Sequence, residues 1–193
     1  MKGCRSFTDL EADSVMNSFG GQYASRDRAI FALGRFTGER ISAILHLKVG
    51  DVFQAGRVAD SVTYRRANRK GKVEGRSVLL HPEAKAALTA WINEMAKDSV
   101  LTTNDYLFQG RKGNGPLGRV QYHRILKEAA KVNQLTGKIG THSMRKTFAD
   151  RVFEALDRDI FRTQKALGHK NINSTVQYLS FREADIEEAI LKM

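Results

Sequence analysis

The sequence predicts a mainly α-helical fold with one small antiparallel β-sheet, which is an α+β class. Helical periodicity and helix-capping residues recur over most of the chain, whereas residues 52–80 change to the even spacing of a strand. A length of 193 residues gives one domain a substantial core and is too short for two ordinary domains. We therefore expect residues 1–193 to form a single domain.

Three helices are predicted before residue 50. Thr8 or Asp9 is a suitable cap for the first helix, which ends near the glycine pair at 20–21. Ser25 is the predicted N-cap of the second helix, and Gly38 ends or kinks that helix. The segment ISAILHLK then has the pattern of a short amphipathic helix.

The β-sheet is predicted from alternating residues on either side of a polar turn. Val58, Val62 and Tyr64 lie at even spacing, RKGKVEG at 69–75 has turn composition, and RSVLL at 76–80 resumes the apolar pattern. Two such runs joined by a glycine-containing turn indicate a β-hairpin. We expect one small antiparallel sheet here.

Helices are predicted again after Pro82, which suits the first turn of a helix. RKGNGPLG at 111–118 is predicted to be a loop, and helical patterns follow at 120–132, 141–156 and 159–167. The apolar stripe of the helix after Pro82 consists of Leu88, Trp91, Ile92 and Met95.

The charge of the chain indicates a polyanionic partner. There are 32 lysines and arginines against 21 acidic residues, which gives a net charge of +11. The sequence pI is about 9.9. A basic surface gains affinity for nucleic acid because binding releases condensed counterions. Net charge alone does not indicate which reaction, if any, the protein catalyses. The alternative to a nucleic-acid partner is a basic surface that is simply well solvated.

Several classes of protein are disfavoured by what the sequence lacks. No apolar run approaches the roughly 20 residues of a membrane helix, and the N-terminal residues do not have the apolar core of a secretory signal. Cys4 is the one cysteine, so an internal disulfide is impossible. His and Cys do not cluster at metal-ligand spacing. We expect a cytoplasmic protein with no membrane partner, no bound metal and no cofactor.

The third quarter of the chain carries groups suited to binding a phosphate. A phosphodiester repels nucleophiles, so its transition state needs guanidinium groups on the non-bridging oxygens and imidazoles to handle protons. The motif HSMR places His142 and Arg145 on one face of a helix. Both lie near its predicted N-terminus, where free backbone N–H groups favour an anion.

The segment after this helix pairs a histidine with a tyrosine. Gly168 ends the helix before His169, and Tyr178 follows nine positions after that histidine. A new helix is predicted with Asn173 or Ser174 as its cap and with Tyr178 on its second turn. A phenol has a pKa of about 10 and needs activation before it can act as a nucleophile.

Three motifs resemble the signature motifs of the tyrosine recombinases, the phage-integrase family. They are GERIS at 38–42, HSMRKTFA at 142–149 and LGHKNINSTVQYL at 167–179. The resemblance extends from about Ser6 to Leu179 and keeps the order of the family's motifs. It implies the catalytic-domain fold of DNA breaking-and-rejoining enzymes.

The resemblance also implies a role for each catalytic residue. Arg40 and Arg145 correspond to the two arginines that bind the non-bridging phosphate oxygens. His142 and His169 correspond to the histidines that hydrogen-bond the phosphate and transfer protons. Tyr178 corresponds to the nucleophile, which forms a phosphotyrosyl bond to the 3′ side of the break.

The predicted hairpin supplies further candidates. In the family a hairpin lysine protonates the leaving 5′ oxygen, and here that lysine is Lys70, with Lys72 as the alternative. Arg65, Arg66 and Arg69 are candidate contacts to DNA phosphates, although a solvated hairpin edge explains them equally well. One departure from the family pattern is Ala43, where an acidic residue often stands three positions after the first arginine.

The resemblance implies a site-specific DNA recombinase or integrase that works through a 3′-phosphotyrosine without metal or ATP. A type IB topoisomerase and a non-catalytic DNA-binding regulator of the same fold are the alternatives. Family members usually carry a further helical domain before the catalytic one, and this chain is expected to be the catalytic domain alone. A bacterial or phage origin is expected.

The expected partners are double-stranded DNA and other copies of the chain. The stretch at 182–193 is net acidic, and Ile186, Ala189, Ile190 and Met193 form one apolar stripe on a predicted helix. The resemblance implies that this C-terminal helix passes to a neighbouring protomer in a tetramer on DNA, and that the isolated protein is a monomer. Folding back on its own domain is the alternative.

Overall fold

The computed structural model describes residues 3–65, 75–110, 115–179, 187 and 190–193. It confirms the predicted mainly helical fold with small antiparallel sheets. The elements are α1 (Asp9–Ser18), α2 (Ala24–Thr37), α3 (Ile41–Leu45), α4 (Val49–Val52), β1 (Phe53–Gln54), β2 (Arg57–Val58), β3 (Ser61–Tyr64), β4 (Arg76–Leu79), α5 (Pro82–Asp98), α6 (Arg119–Val132), α7 (Thr141–Ala155), α8 (Ile160–Leu167) and α9 (Ile172–Val176). None of the described helices is both long enough and apolar enough to cross a membrane.

The chain divides into two compact units, Met1–Phe148 and Ala149–Met193. The boundary falls within α7. The first unit contains α1 to α6, the four strands and the N-terminal part of α7, and the second contains the rest of α7 with α8 and α9.

Helix α2 lies at the centre of the first unit. Its run from Ala29 to Leu33 is fully buried, and the helix packs against α5. Trp91 of α5 belongs to the same core, as its place in the apolar stripe predicts, and its indole N–H donates to the carbonyl of Leu107 at 2.7 Å. A helix buried on nearly all sides gives the turn that follows it a fixed position.

The starts of the first two helices were predicted with different success. Thr8 caps α1 through a capping box with Glu11, as predicted. The prediction of Ser25 as the cap of α2 is wrong, because the helix already begins at Ala24. The Ala24 N–H donates to the carbonyl of Gly21 at 3.1 Å, so the turn at Gly21 starts the helix early.

The prediction of a single sheet is wrong. Among the described residues there are two separate two-stranded sheets. β1 pairs with β2, and β3 pairs with β4, both antiparallel. Val58 therefore lies in a different sheet from Val62 and Tyr64. The tight turn at Ala55 and Gly56, both with positive φ, closes the first hairpin after only two residues per strand. Most of the predicted turn at 69–75 lies outside the described residues.

Candidate active site

Two glycines, Gly34 within α2 and Gly38 directly after it, allow α7 to pack closely against this helix. A Cβ built on Gly34 would lie 2.6 Å from the Sδ of Met144, and one built on Gly38 would lie 2.2 Å from Cδ1 of Phe148. Gly38 also ends α2 in the left-handed conformation, with φ of 62°. Arg145 lies on α7 between these two contacts, and the close packing brings it to the Gly38 turn.

Arg145 is fixed by the chain that follows α2. The residue is only 2% exposed, and its guanidinium Nη1 donates to the carbonyl of Gly38. Arg40 lies two residues beyond that carbonyl and is the N-cap residue of α3. The two arginines of the predicted site are therefore positioned by one turn.

An open cavity of about 470 Å³ joins these residues. Three of the predicted site residues, Arg40, His142 and Arg145, line it together. His142 and Arg145 reach it from the first turns of α7, as the HSMR motif predicts. The other described residues that line the cavity are Glu39, Ile41, Ser42, Arg119, Val120, His123 and Thr141.

Arg119 and His123 are functional candidates that sequence reasoning missed. They lie four residues apart at the start of α6, so they share one face of that helix. No motif marks them, and only the packing of α6 places them at the cavity. Their i, i+4 spacing occurs in many helices, so the sequence carries no specific signal for them.

The positive charges of the site act on His142. Burial lowers the pKa of His142, and the nearby charges of Arg145, Arg40, Arg119 and Lys146 lower it further. The free protein therefore favours the neutral imidazole. A bound phosphate would offset those charges, so the same cavity favours an anion.

In the second unit, His169 is held by short contacts on both sides. Asp159 caps α8, and Gly168 ends that helix with φ of 63°, as predicted. The backbone N–H of His169 donates to the carbonyl of Gln164 at 3.1 Å, and the Gln164 amide returns a bond to the carbonyl of His169 at 3.0 Å. The Nδ1 atom of His169 lies 3.0 Å from Oγ1 of the buried Thr175.

Tyr178 lies beside His169. The two ring centroids are 5.4 Å apart, and the phenol ring is partly exposed. Tyr178 lies just after α9 and not on its second turn, because the helix ends at Val176. The predicted caps are also wrong. The side chain of Asn171 accepts from the backbone of Asn173 at 2.8 Å and starts the helix earlier.

The hairpin candidates are only partly described. Lys70, Lys72, Arg66 and Arg69 lie outside the described residues, so their roles stay predictions. Arg65 is described. Its side chain is 56% exposed, and its guanidinium donates from Nε and Nη2 to the buried carboxylate of Asp51 at 2.9 and 2.8 Å. Its role as a DNA contact stays a prediction too.

Comparison with known proteins identifies the family. The family model of the Phage integrase family matches residues 7–184. The chain is 32% identical over 158 residues to the probable integrase/recombinase YoeC of Bacillus subtilis strain 168, covering 82% of this chain and 79% of YoeC. It is 26% identical over 183 residues to the tyrosine recombinase XerC of Caldanaerobacter subterraneus, covering 94% of this chain and 49% of XerC. The chain belongs to the phage integrase family of tyrosine recombinases, as its motifs predict.

Solved structures share the fold. The XerH site-specific recombinase bound to palindromic difH substrate has a TM-score of 0.77 at 24% identity, covering 96% of this chain and 51% of that one. The catalytic domain of bacteriophage HP1 integrase has a TM-score of 0.62 at 17% identity, covering 91% and 87%. These likenesses confirm the predicted catalytic-domain fold. The chain spans about half the length of the XerC and XerH proteins that it matches.

Proposed function

We propose that this protein is a site-specific DNA recombinase that cleaves and rejoins DNA through a covalent 3′-phosphotyrosine. The observation that carries the proposal is the cavity of the first unit, where Arg40, His142 and Arg145 converge. Membership of the phage integrase family supports it. In this proposal residues 1–193 act as the catalytic domain.

The cavity is suited to the phosphate in the transition state. The guanidinium groups of Arg40 and Arg145 neutralise the non-bridging oxygens, where a planar fork donates two hydrogen bonds. Arg145 is already buried and bonded to the Gly38 carbonyl, so little reorganisation is needed when charge develops on the phosphate. His142, whose neutral form the free protein favours, donates a further hydrogen bond.

The covalent step uses the second unit. The Tyr178 oxygen attacks phosphorus, the bond from phosphorus to the 5′ oxygen breaks, and a lysine of the hairpin, Lys70 or Lys72, donates a proton to that oxygen. His169 assists in removing the phenol proton. Rejoining is the reverse reaction, in which a 5′ hydroxyl attacks the phosphotyrosine. The phosphotyrosine retains the bond energy, so the reaction uses no ATP. It uses no metal ion because Arg40 and Arg145 neutralise the phosphate.

The partners in this proposal are double-stranded DNA and other copies of the chain. A net charge of +11 supports binding to a polyanion. The solved complex of XerH is with its DNA substrate, which supports the same class of partner here. We propose that the protein is monomeric in isolation, forms a tetramer on DNA and acts in a bacterial or phage-infected cytoplasm.

A nicked suicide duplex tests the proposal. Cleavage of this substrate releases a short strand that carries the new 5′ hydroxyl. Without that hydroxyl the break cannot be rejoined, so the covalent complex accumulates. We expect the parent protein to form an adduct in EDTA without ATP, and the Tyr178→Phe variant to bind the duplex but form none. Absence of adduct in the parent would favour the non-catalytic regulator. Relaxation of supercoiled DNA without recombination between two sites would favour the topoisomerase.

A further inference from the structure

Glu39 is a buried carboxylate beside the first arginine of the site. Its side chain is 1% exposed. One oxygen, Oε1, accepts from Nη1 of Arg76 at 3.0 Å, and the other, Oε2, accepts from the backbone N–H of Arg40 at 3.2 Å. Each carboxylate oxygen of Glu39 therefore accepts a hydrogen bond from a different protein group, the Arg76 guanidinium or the Arg40 backbone.

A second hydrogen bond joins the end of α2 to the β3–β4 sheet, to which Arg76 belongs. Tyr64 of β3 is paired directly opposite Arg76 of β4. The Tyr64 hydroxyl lies 3.0 Å from Oγ1 of Thr37. Because Thr37 donates its own hydrogen to the carbonyl of Leu33 at 2.7 Å, Tyr64 is the donor in this contact. Burial raises the pKa of Tyr64, so that its hydroxyl stays protonated.

These two contacts attach both strands of one sheet to the end of α2 and the turn after it, Tyr64 at Thr37 and Arg76 at Glu39. Between them, the carbonyl of Gly38 accepts from Arg145 of α7. Arg40 directly follows Glu39. Among the described residues that line the cavity, Glu39 is the one carboxylate, and its charge is paired with that of Arg76.

We propose that Glu39 is a positioning residue for Arg40. Through its ion pair with Arg76 it uses the β3–β4 sheet as a rigid support for the turn that presents Arg40 to the cavity. This inference rests on the proposed function.

The Glu39→Gln variant tests the inference, and Glu11→Gln is its matched control. Glu11 also accepts from an arginine, Arg5, at 2.6 Å and from a backbone N–H, that of Thr8, at 2.9 Å. We expect Glu39→Gln to lower the single-turnover cleavage rate at saturating suicide duplex by roughly 10-fold or more, because a misplaced catalytic group costs rate without costing binding. DNA affinity should stay within about threefold, and Glu11→Gln should cleave within about twofold of the parent rate.

A substrate with sulfur in place of the leaving 5′ oxygen separates two routes of action. A thiolate leaves without a proton, so this substrate rescues the loss of a proton donor but not the loss of a phosphate contact. We expect Glu39→Gln to remain slow on the sulfur substrate. Rescue by sulfur would overturn the inference, because Glu39 would then act through the proton donor.

A second variant covers the case in which Glu39→Gln does not fold. Arg76→Gln removes the same ion pair from its more exposed side, which is 16% exposed. It should show the same slow cleavage with both substrates, and cleavage at the parent rate would overturn the inference. Failure of the proposed function would give a different result, because the parent protein itself would then form no adduct with either substrate.

Discussion

His142 is the titratable residue on which the electrostatics of the site act most directly. Burial and four nearby positive charges lower its pKa, so we expect a midpoint below the ordinary value of about 6.5 in the free protein. Binding of a duplex should raise the midpoint, because the phosphate offsets those charges. NMR titration of the His142 ring in the Tyr178→Phe variant measures both values.

The same shift makes a prediction about stability. The neutral imidazole is favoured by the fold, so its contribution is present above the unfolded pKa of about 6.5 and is lost as pH falls through the lower folded pKa. A His142→Asn variant should therefore lose less stability than the parent between pH 7 and pH 5. An equal loss in both proteins, or a midpoint above 6.5, would contradict this account of the site.

At Arg145 we expect the planar geometry of the guanidinium to matter as well as its charge. Arg145→Lys keeps the charge but loses the planar fork, so it cannot serve the Gly38 carbonyl and a phosphate together. We expect the cleavage rate to fall on the order of 100-fold or more. Arg28→Lys is the control, since Arg28 also donates to a backbone carbonyl, that of Met16, away from the cavity. A rate near that of the parent would refute the bidentate role.

At the scale of elements, the packing of α2 against α7 depends on Gly38. Gly38→Ala places a Cβ where it meets the Phe148 ring and forces an alanine into φ of 62°. We expect a loss of about 2 kcal/mol or more in the free energy of unfolding, from strain and overpacking together. Gly20→Ala, where an added Cβ meets nothing within 4 Å, should change it by about 1 kcal/mol or less. Urea denaturation compares the two, and similar stabilities would mean that the close approach is unimportant.

The elements differ in how far the sequence predicts them. The start of α1 at its Thr8 cap and the end of α8 at Gly168 lie where the sequence predicts, whereas the Asn171 cap of α9 was not predicted. The start of α2 and the division of the sheet depend on left-handed backbone at Gly21 and at Ala55–Gly56. A left-handed alanine such as Ala55 has no sequence signal, and a glycine such as Gly21 permits this conformation without requiring it, so these features were missed.

The candidate site shows the same contrast. Arg40, His142 and Arg145 were predictable because they lie in ordered motifs whose chemistry is specific. Arg119, His123 and Glu39 were not assigned a role, because they reach the cavity through tertiary packing of α6 and through the turn after α2. Packing between distant segments leaves no local periodicity in the sequence from which such neighbours can be inferred.

At the scale of the whole molecule, the C-terminal stretch makes a prediction about assembly. Much of 182–193 lies outside the described residues, while Ile190, Leu191 and Met193 are exposed. If this stretch passes to a neighbouring protomer, truncation before Ala184 should abolish recombination and weaken synaptic complexes while single-site DNA binding is kept. Gel-shift assays with one and two sites measure this. Unfolding, or an equal loss of single-site binding, would show that the stretch belongs to its own domain.

The central claim is that Tyr178 joins covalently to DNA, and mapping the trapped adduct tests it most directly. The covalent complex from the suicide duplex is digested with protease and nuclease, and the modified peptide is sequenced by mass spectrometry. We predict a nucleotide attached through its 3′ phosphate to Tyr178, with a free 5′ hydroxyl on the released strand. Attachment at any other residue, or through a 5′ phosphate, would contradict the account.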